Sequence, residues 1–313
     1  MGMPGMHGTV AAVTALQKAD LLITLGARFD DRVTGKLSTF AVNAKILHAD
    51  IDPAEIDKNV KTTVPVWGDC KETLPMLTAL VESKVYPQWL QKFHDCMAKE
   101  QALCIDPEMN PATDILTMGE VIKALNELTH GNAIIVTDVG QHQMVACRYA
   151  QMNQTKSNIT SGGLGTMGYA LPAAIGAAYG DPSRTTVAII GDGGFQMTIQ
   201  ELGTIMQFKP NVKIIILNNQ FLGMVRQWQQ LFHEKRYSFV DITSPDFVQV
   251  AKGYYIDGQR ISKRSEVKAA LKTMLDHNGS YLLEVMVGKE NNVFPMVPQG
   301  RGVSEIVLSK EEI

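Results

Sequence analysis

The chain has 313 residues, 45% hydrophobic and 19% charged, with a formal net charge of −3. That length suits about two globular domains, and mild acidity without a Lys/Arg run argues against nucleic acid as a partner. No apolar stretch approaches the roughly 20 residues that span a bilayer, no secretory leader is visible, and four cysteines without a CxxC pair point to reduced thiols in a cytoplasm.

In chain order, residues 1–8 read as a loop and Thr9 to Lys18 as a helix. Asp20 to Leu25 and Lys45 to Ile51 are apolar runs of strand length, closed by Gly26 and by Asp52-Pro53. A helix is expected after Pro53, since proline suits a first helical turn. Thr63 to Trp67 gives a short strand and Glu72 to Val81 a helix. Tyr86 to Glu100 reads as a polar helix, and Asp106 to Pro111 is turn-rich, as a linker would be. A second block follows: helix from Met118 to Leu128, strand from Ala133 to Thr137, helices from Gln141 to Gln151 and Gly165 to Tyr179. The strand Thr186 to Ile190 leads to a helix beginning near Phe195, and Val212 to Leu217 is the next strand. Phe247 to Ala251 and Glu266 to Leu275 look helical, Tyr281 to Val287 is the last strand, and the chain beyond Glu290 is loop-like. Strands alternating with helices predict βαβ units. The expected fold is α/β, with two doubly wound parallel-sheet domains at 1–85 and 113–289, a linker at 86–112 and a tail at 290–313.

The chemistry concentrates where strands of the second block end. Asp138-Val139-Gly140-Gln141-His142 follows one strand and Gly191-Asp192-Gly193-Gly194 another; Asn218-Asn219 ends a third. Ligands of open α/β sheets bind outside the carboxyl ends of the strands, and helix N-termini there favour phosphate. A carboxylate flanked by glycines and paired with a distant amide suits a hard cation such as Mg²⁺, which completes its shell on phosphates. The pattern predicts a metal-anchored diphosphate site. Taken singly, Asp192 or Asn218 would read as a helix cap; three such strand ends outweigh that. Gly163 to Gly168 matches GxGxxG, but a poor preceding strand and the glycines around Asp192 reject a nicotinamide site.

Gly191-Asp192-Gly193, 24 intervening residues and Asn218-Asn219 is similar to the signature of the thiamine diphosphate-dependent enzymes. Further runs resemble one family among them, the large catalytic subunits of acetohydroxyacid (acetolactate) synthase. They are Gly5 to Gly8, Gly26 to Val33, Asp50 to Pro53, Gly140 to Gln143, Gly165 to Gly168, Gly194 to Met197 and Leu222 to Trp228. The resemblance covers nearly the whole chain. It implies that Asp192, Asn219 and the carbonyl of Phe221 bind Mg²⁺. Val139, Gly140, Gln141 and His142, with Gly193 and Gly194, would hold the diphosphate. Gly165 and Met167 would contact the aminopyrimidine, Met167 bending the cofactor so that its own amino group becomes an intramolecular base. Met224 would join the thiamine diphosphate pocket, and Trp228 would lie at the acceptor pocket. Core packing is the ordinary role of such methionines and of a tryptophan.

The first block resembles part of the FAD-binding middle domain of the same family. His7, Gly8, Gly26, Arg28, Asp50, Asp52 and Asp69 would contact the flavin, and Arg32 would face the active-site entrance. The implied reaction decarboxylates pyruvate and ligates the two-carbon unit to pyruvate or 2-oxobutyrate, an early step of branched-chain amino acid biosynthesis. Implied partners are further catalytic subunits, in a homodimer or tetramer, and a small regulatory subunit. The family's activating glutamate lies in a pyrimidine-binding domain that precedes the middle domain. It has no counterpart in this chain, so no catalytic residue is assigned and the chain is expected to be inactive alone. The alternatives are a pyruvate oxidase or glyoxylate carboligase, disfavoured by Gly223 to Trp228, and a non-catalytic fragment that pairs with full-length subunits.

Overall fold

The computed structural model describes residues 1–313, and every strand pairing within its two sheets is parallel. Two compact units form: Met1–Ile105 with Phe294–Ile313, and Asp106–Val293.

In the first unit, strands β1 (Leu21–Leu25), β2 (Lys45–Asp50) and β3 (Val64–Trp67) lie in that order. The helix Val10–Lys18 begins where the Thr9 hydroxyl accepts the Ala12 N–H at 3.2 Å, and it buries Val10 to Val13. Val13, Leu22, Phe29, Phe40 and Ile46 make the core, completed by Val297 and Val303 from the carboxyl end. Residues 294–313, expected to be a loop-like tail, therefore help build this unit.

The helix expected after Pro53 is replaced by turns. Asp52 accepts the Ala54 N–H, and Asp57, at a φ of +63°, accepts both the Thr62 N–H and its hydroxyl. These local bonds compete with helical ones. The polar helix expected at 86–100 divides into Pro87–Gln91 and His94–Glu100. Asp106-Pro107, read as a turn, instead lies in the short helix Asp106–Met109, which directly continues the π-helical segment Gln101–Ile105.

The second unit contains β4 (Ile134–Thr137), β5 (Asn158–Thr160), β6 (Thr186–Gly191), β7 (Val212–Asn218), β8 (Asp257–Ile261) and β9 (Tyr281–Met286). Their order is β5-β4-β6-β7-β9-β8. Every residue of β4, β6 and β7 is buried, as in a parallel sheet covered on both faces. Alternate residues feed two cores: Ile135, Val187 and Ile215 pack with helices Met118–Thr129 and Gln141–Tyr149, whereas Val136, Ala188 and Ile214 pack with Ala170–Gly180 and Leu202–Phe208.

The chain leaves β4 for β5 on one side and returns to β6 on the other. The crevice between β4 and β6 is thus a topological switch point, the place where such sheets bind ligands. The helix expected from Gly165 begins only at Ala170. Gly165 and Gly168 take φ of +61° and +82°, which glycine tolerates and a helix excludes.

Candidate functional site

The loops at this switch point enclose a cavity of about 220 Å³. Its walls carry every residue that the resemblance gives to thiamine diphosphate and Mg²⁺. Val139, Gly140, Gln141 and His142 come from the end of β4, and Asp192, Gly193 and Gly194 from the end of β6. Asn219, Phe221 and Met224 follow β7, and Gly165 and Met167 precede the helix at Ala170. Helices Gln141–Tyr149 and Asp192–Met197 start at the cavity, so their positive dipole ends face it, and the first turn of Gln141–Tyr149, which has no side-chain cap, adds unpaired N–H groups.

Behind this surface lies Asp138, fully buried. Its Oδ1 is hydrogen-bonded to His142 Nε2, and its Oδ2 accepts the Gly168 N–H at 3.1 Å. A Cβ on Gly194 would overlap Oδ2, and one on Gly191 would come within 2.8 Å of the His142 ring. Asp138 therefore gathers three cofactor loops around one carboxylate. Its position at a buried strand end was a signal for it, but its contacts arise only in three dimensions. Gln227 and Ser244 were likewise missed.

The donor set fits a hard divalent cation. Asp192 is buried, and burial pushes its carboxyl up to about 6 despite N–H bonds from its own backbone and Gly193. The Ser244 hydroxyl approaches its Oδ2 at 3.4 Å. Burying a carboxylate is costly unless a cation compensates, and Mg²⁺ with oxygen ligands would do so. Asn219, also buried, contributes an amide whose Oδ1 accepts the Phe221 N–H at 3.2 Å.

The flavin-assigned residues all lie in the first unit, at the carboxyl edge of its sheet. Gly26 directly follows β1, Asp50 ends β2 and Asp69 stands two residues after β3, while His7 and Gly8 precede the helix at Val10. The fit is mixed. Asp50 and Asp52 cap local backbone N–H groups, Asp69 caps the helix Cys70–Ala79, and Arg28 pairs with Asp30 at 2.7 Å. The His7 ring is hydrogen-bonded to the Pro295 carbonyl at 3.1 Å. The Val10 N–H at the helix start is already taken by Glu100 at 2.7 Å. A flavin would thus rely on the open strand ends and the exposed Arg28 rather than on that helix N-terminus.

Of the substrate-assigned residues, Trp228 does not line the central cavity. It lines an adjacent open groove with Val225, Gln229, His233 and Arg236, on the same helix, Gly223–Phe232, that brings Met224 to the cavity. Arg32 is exposed in the first unit, with Nη1 3.6 Å from Met6 Sδ.

Residues 1–77 match the family described as "Thiamine pyrophosphate enzyme, central domain", and residues 138–285 the "C-terminal TPP binding domain" of the same enzymes. The chain is similar to "Acetolactate synthase isozyme 2 large subunit" of Escherichia coli (strain K12), at 45% identity over 98% of this chain and 55% of that protein. It resembles "Acetolactate synthase large subunit" of Cyanidium caldarium at 42% over 99% and 54%. The likeness to "Acetolactate synthase 1, chloroplastic" of Oryza sativa subsp. japonica is 43% over 98% and 49%. The chain spans about half the length of these relatives.

Proposed function

The chain belongs to the thiamine pyrophosphate enzymes, in the acetolactate synthase large-subunit family, and from that premise we propose that it forms the cofactor-holding part of an acetolactate synthase. One observation carries this reading: the loops after β4, β6 and β7 meet at one cavity whose walls include the buried Asp192 carboxylate. Asp192, Asn219 and the Phe221 carbonyl would hold Mg²⁺. N–H groups at the starts of helices Gln141–Tyr149 and Asp192–Met197, with His142, would hold the diphosphate. Met167 and Met224 would line the ring end, and apolar walls would keep water from it. Bound thiamine diphosphate supplies the electron sink for decarboxylating pyruvate and passing its two-carbon unit to a second 2-oxo acid.

No glutamate lines the cavity, so in this reading the acid that activates the pyrimidine comes from outside these residues. Trp228 would shape the acceptor side in favour of the larger 2-oxo acid, 2-oxobutyrate over pyruvate, Arg32 would face the entrance, and the first unit would carry FAD. Assembly with further catalytic subunits, and with a regulatory subunit, belongs to the same proposal, as does a cytoplasmic setting; no helix is long and apolar enough to cross a membrane.

Calorimetry of the purified chain with thiamine diphosphate tests the site. Binding should require Mg²⁺ and weaken on the order of a hundredfold in Asp192→Asn, since loss of a buried charge partner costs ~2–5 kcal/mol. Unchanged affinity would refute the metal assignment. The reaction is tested by supplying the segment of the Escherichia coli relative that this chain does not span. Acetolactate should then form from pyruvate; intact cofactor binding without that product would sink the substrate assignment.

A further inference from the structure

Three amide side chains, those of Asn219, Gln141 and Gln227, run in series to the backbone of Val293. The Val293 N–H donates to Gln227 Oε1 at 2.9 Å, and Gln227 Nε2 donates to the Val293 carbonyl at 3.1 Å. The polarity of a peptide group is fixed, so these two bonds decide which end of Gln227 is oxygen. Gln227 Oε1 also accepts from Gln141 Nε2 at 2.8 Å, and the same Nε2 donates to the Asn291 carbonyl at 2.9 Å. Gln141 is fixed in turn, with its oxygen toward Asn219. That oxygen accepts from Asn219 Nδ2 at 3.3 Å, which leaves Asn219 Oδ1 on the far side, where Phe221 donates to it.

All three amides are buried, with 2–4% of their surface exposed, so water does not compete for these bonds. Space for the last link depends on Gly223, where a Cβ would overlap Gln141 Oε1 and lie 2.6 Å from Asn219 Nδ2. The Gln141 side chain is thus spent on protein partners, which leaves its backbone N–H rather than its amide for a diphosphate.

An amide offers a cation oxygen or nitrogen according to a half-turn of its terminal torsion, and only the oxygen serves as a ligand. We propose that Gln141 and Gln227 are positioning residues that transmit the polarity of the Val293 backbone to Asn219 and hold its oxygen at the metal position. This rests on the reading of Asp192 and Asn219 as Mg²⁺ ligands.

The test is calorimetric titration of Mg²⁺ into the full chain with saturating thiamine diphosphate. Gln141→Met should weaken Mg²⁺ about tenfold, as removal of a ligand-orienting partner does. In an Asn219→Asp background both terminal atoms are oxygens and orientation no longer matters. There Gln141→Met should change affinity by no more than about twofold, the scatter of independent sites. Gln227→Met does not touch Asn219 and should show the same contrast in smaller degree. It carries the test if circular dichroism shows Gln141→Met to be unfolded. Equal losses with and without the Asn219→Asp substitution would overturn the relay alone. Absence of any Mg²⁺ uptake by the unaltered chain would overturn the metal reading, and the relay with it.

Discussion

Asp138 and Gly194 show how little room the site leaves for change. The buried Asp138 carboxylate serves His142 on one oxygen and Gly168 on the other, and the second oxygen occupies the space that a side chain at 194 would need. Gly194→Ala should cost about 1–3 kcal/mol through overpacking and abolish Mg²⁺-dependent cofactor binding. Gly176 is the control: it sits inside the helix Ala170–Gly180 with open space around its Cα. Gly176→Ala should stabilise by roughly 0.5–1 kcal/mol and leave binding unaltered. Urea midpoints and calorimetry for both variants check this; equal behaviour would remove the steric argument. At this scale the sequence showed the residues whose type is dictated by chemistry, such as the carboxylate and amide suited to Mg²⁺. It did not show the bond of Asp138 to Gly168, the role of Gln227 or the commitment of the Gln141 side chain, because those partners lie 30 to 150 residues away along the chain.

Among the elements, the buried central strands were legible because burial on both faces favours near-continuous apolar runs, interrupted in β7 only by Lys213, whose ammonium donates to the His277 and Gly279 carbonyls. The edges were not: β5 and β8 are short and polar, Asn-Ile-Thr and Asp-Gly-Gln-Arg-Ile, and lie at the two margins of the sheet. Caps were legible where they follow local rules. Thr117 and Glu120 form a capping box on the helix Met118–Thr129, and Thr117→Ala should cost about 1 kcal/mol. Glu108 was not legible as a partner of that helix. Its carboxylate accepts the Gly119 N–H at 2.8 Å, yet burial pushes its pKa up from 4.5 to about 7. A carboxyl that ionises near 4.5 unfolded and near 7 folded leaves stability intact below 4.5 and draws it down as pH rises to 7. The loss is about 1–3 kcal/mol. A glutamine there keeps an acceptor for Gly119 without the charge. Thermal melts from pH 4.5 to 8 should show a shallower decline for Glu108→Gln than for the unaltered chain; parallel curves would rule Glu108 out.

For the molecule as a whole, each unit can be held to the rule that parallel sheets are covered on both faces. The second unit obeys it, with helices packed on the two sides of β4, β6 and β7. The first does not. Leu21, Ile23 and Leu25 alternate along β1 and share one face; they are 53%, 54% and 43% exposed, and Val64 on β3 is 48% exposed. Pairing of Ile23 with Leu47 and of Leu47 with Val64 makes this a continuous apolar strip across the sheet. The opposite face carries Leu22 and Ile46, which are buried in the core with Val13 and Phe40. Strand periodicity made the alternation readable, but not which face would be bare, since that depends on where the helices pack. Contiguous apolar surface of this kind drives dye binding and association. The purified chain should therefore enhance the fluorescence of a hydrophobic dye at pH 7. Ile23→Lys should lower that signal by about half and move the melting temperature by only ~1–2 °C, because half-exposed surface positions contribute within about 0.5 kcal/mol. A buried-face variant, Leu22→Lys, should do the reverse, raising the dye signal as the first unit unfolds. If Ile23→Lys melted as early as Leu22→Lys, the face that looks bare would in fact be part of the core.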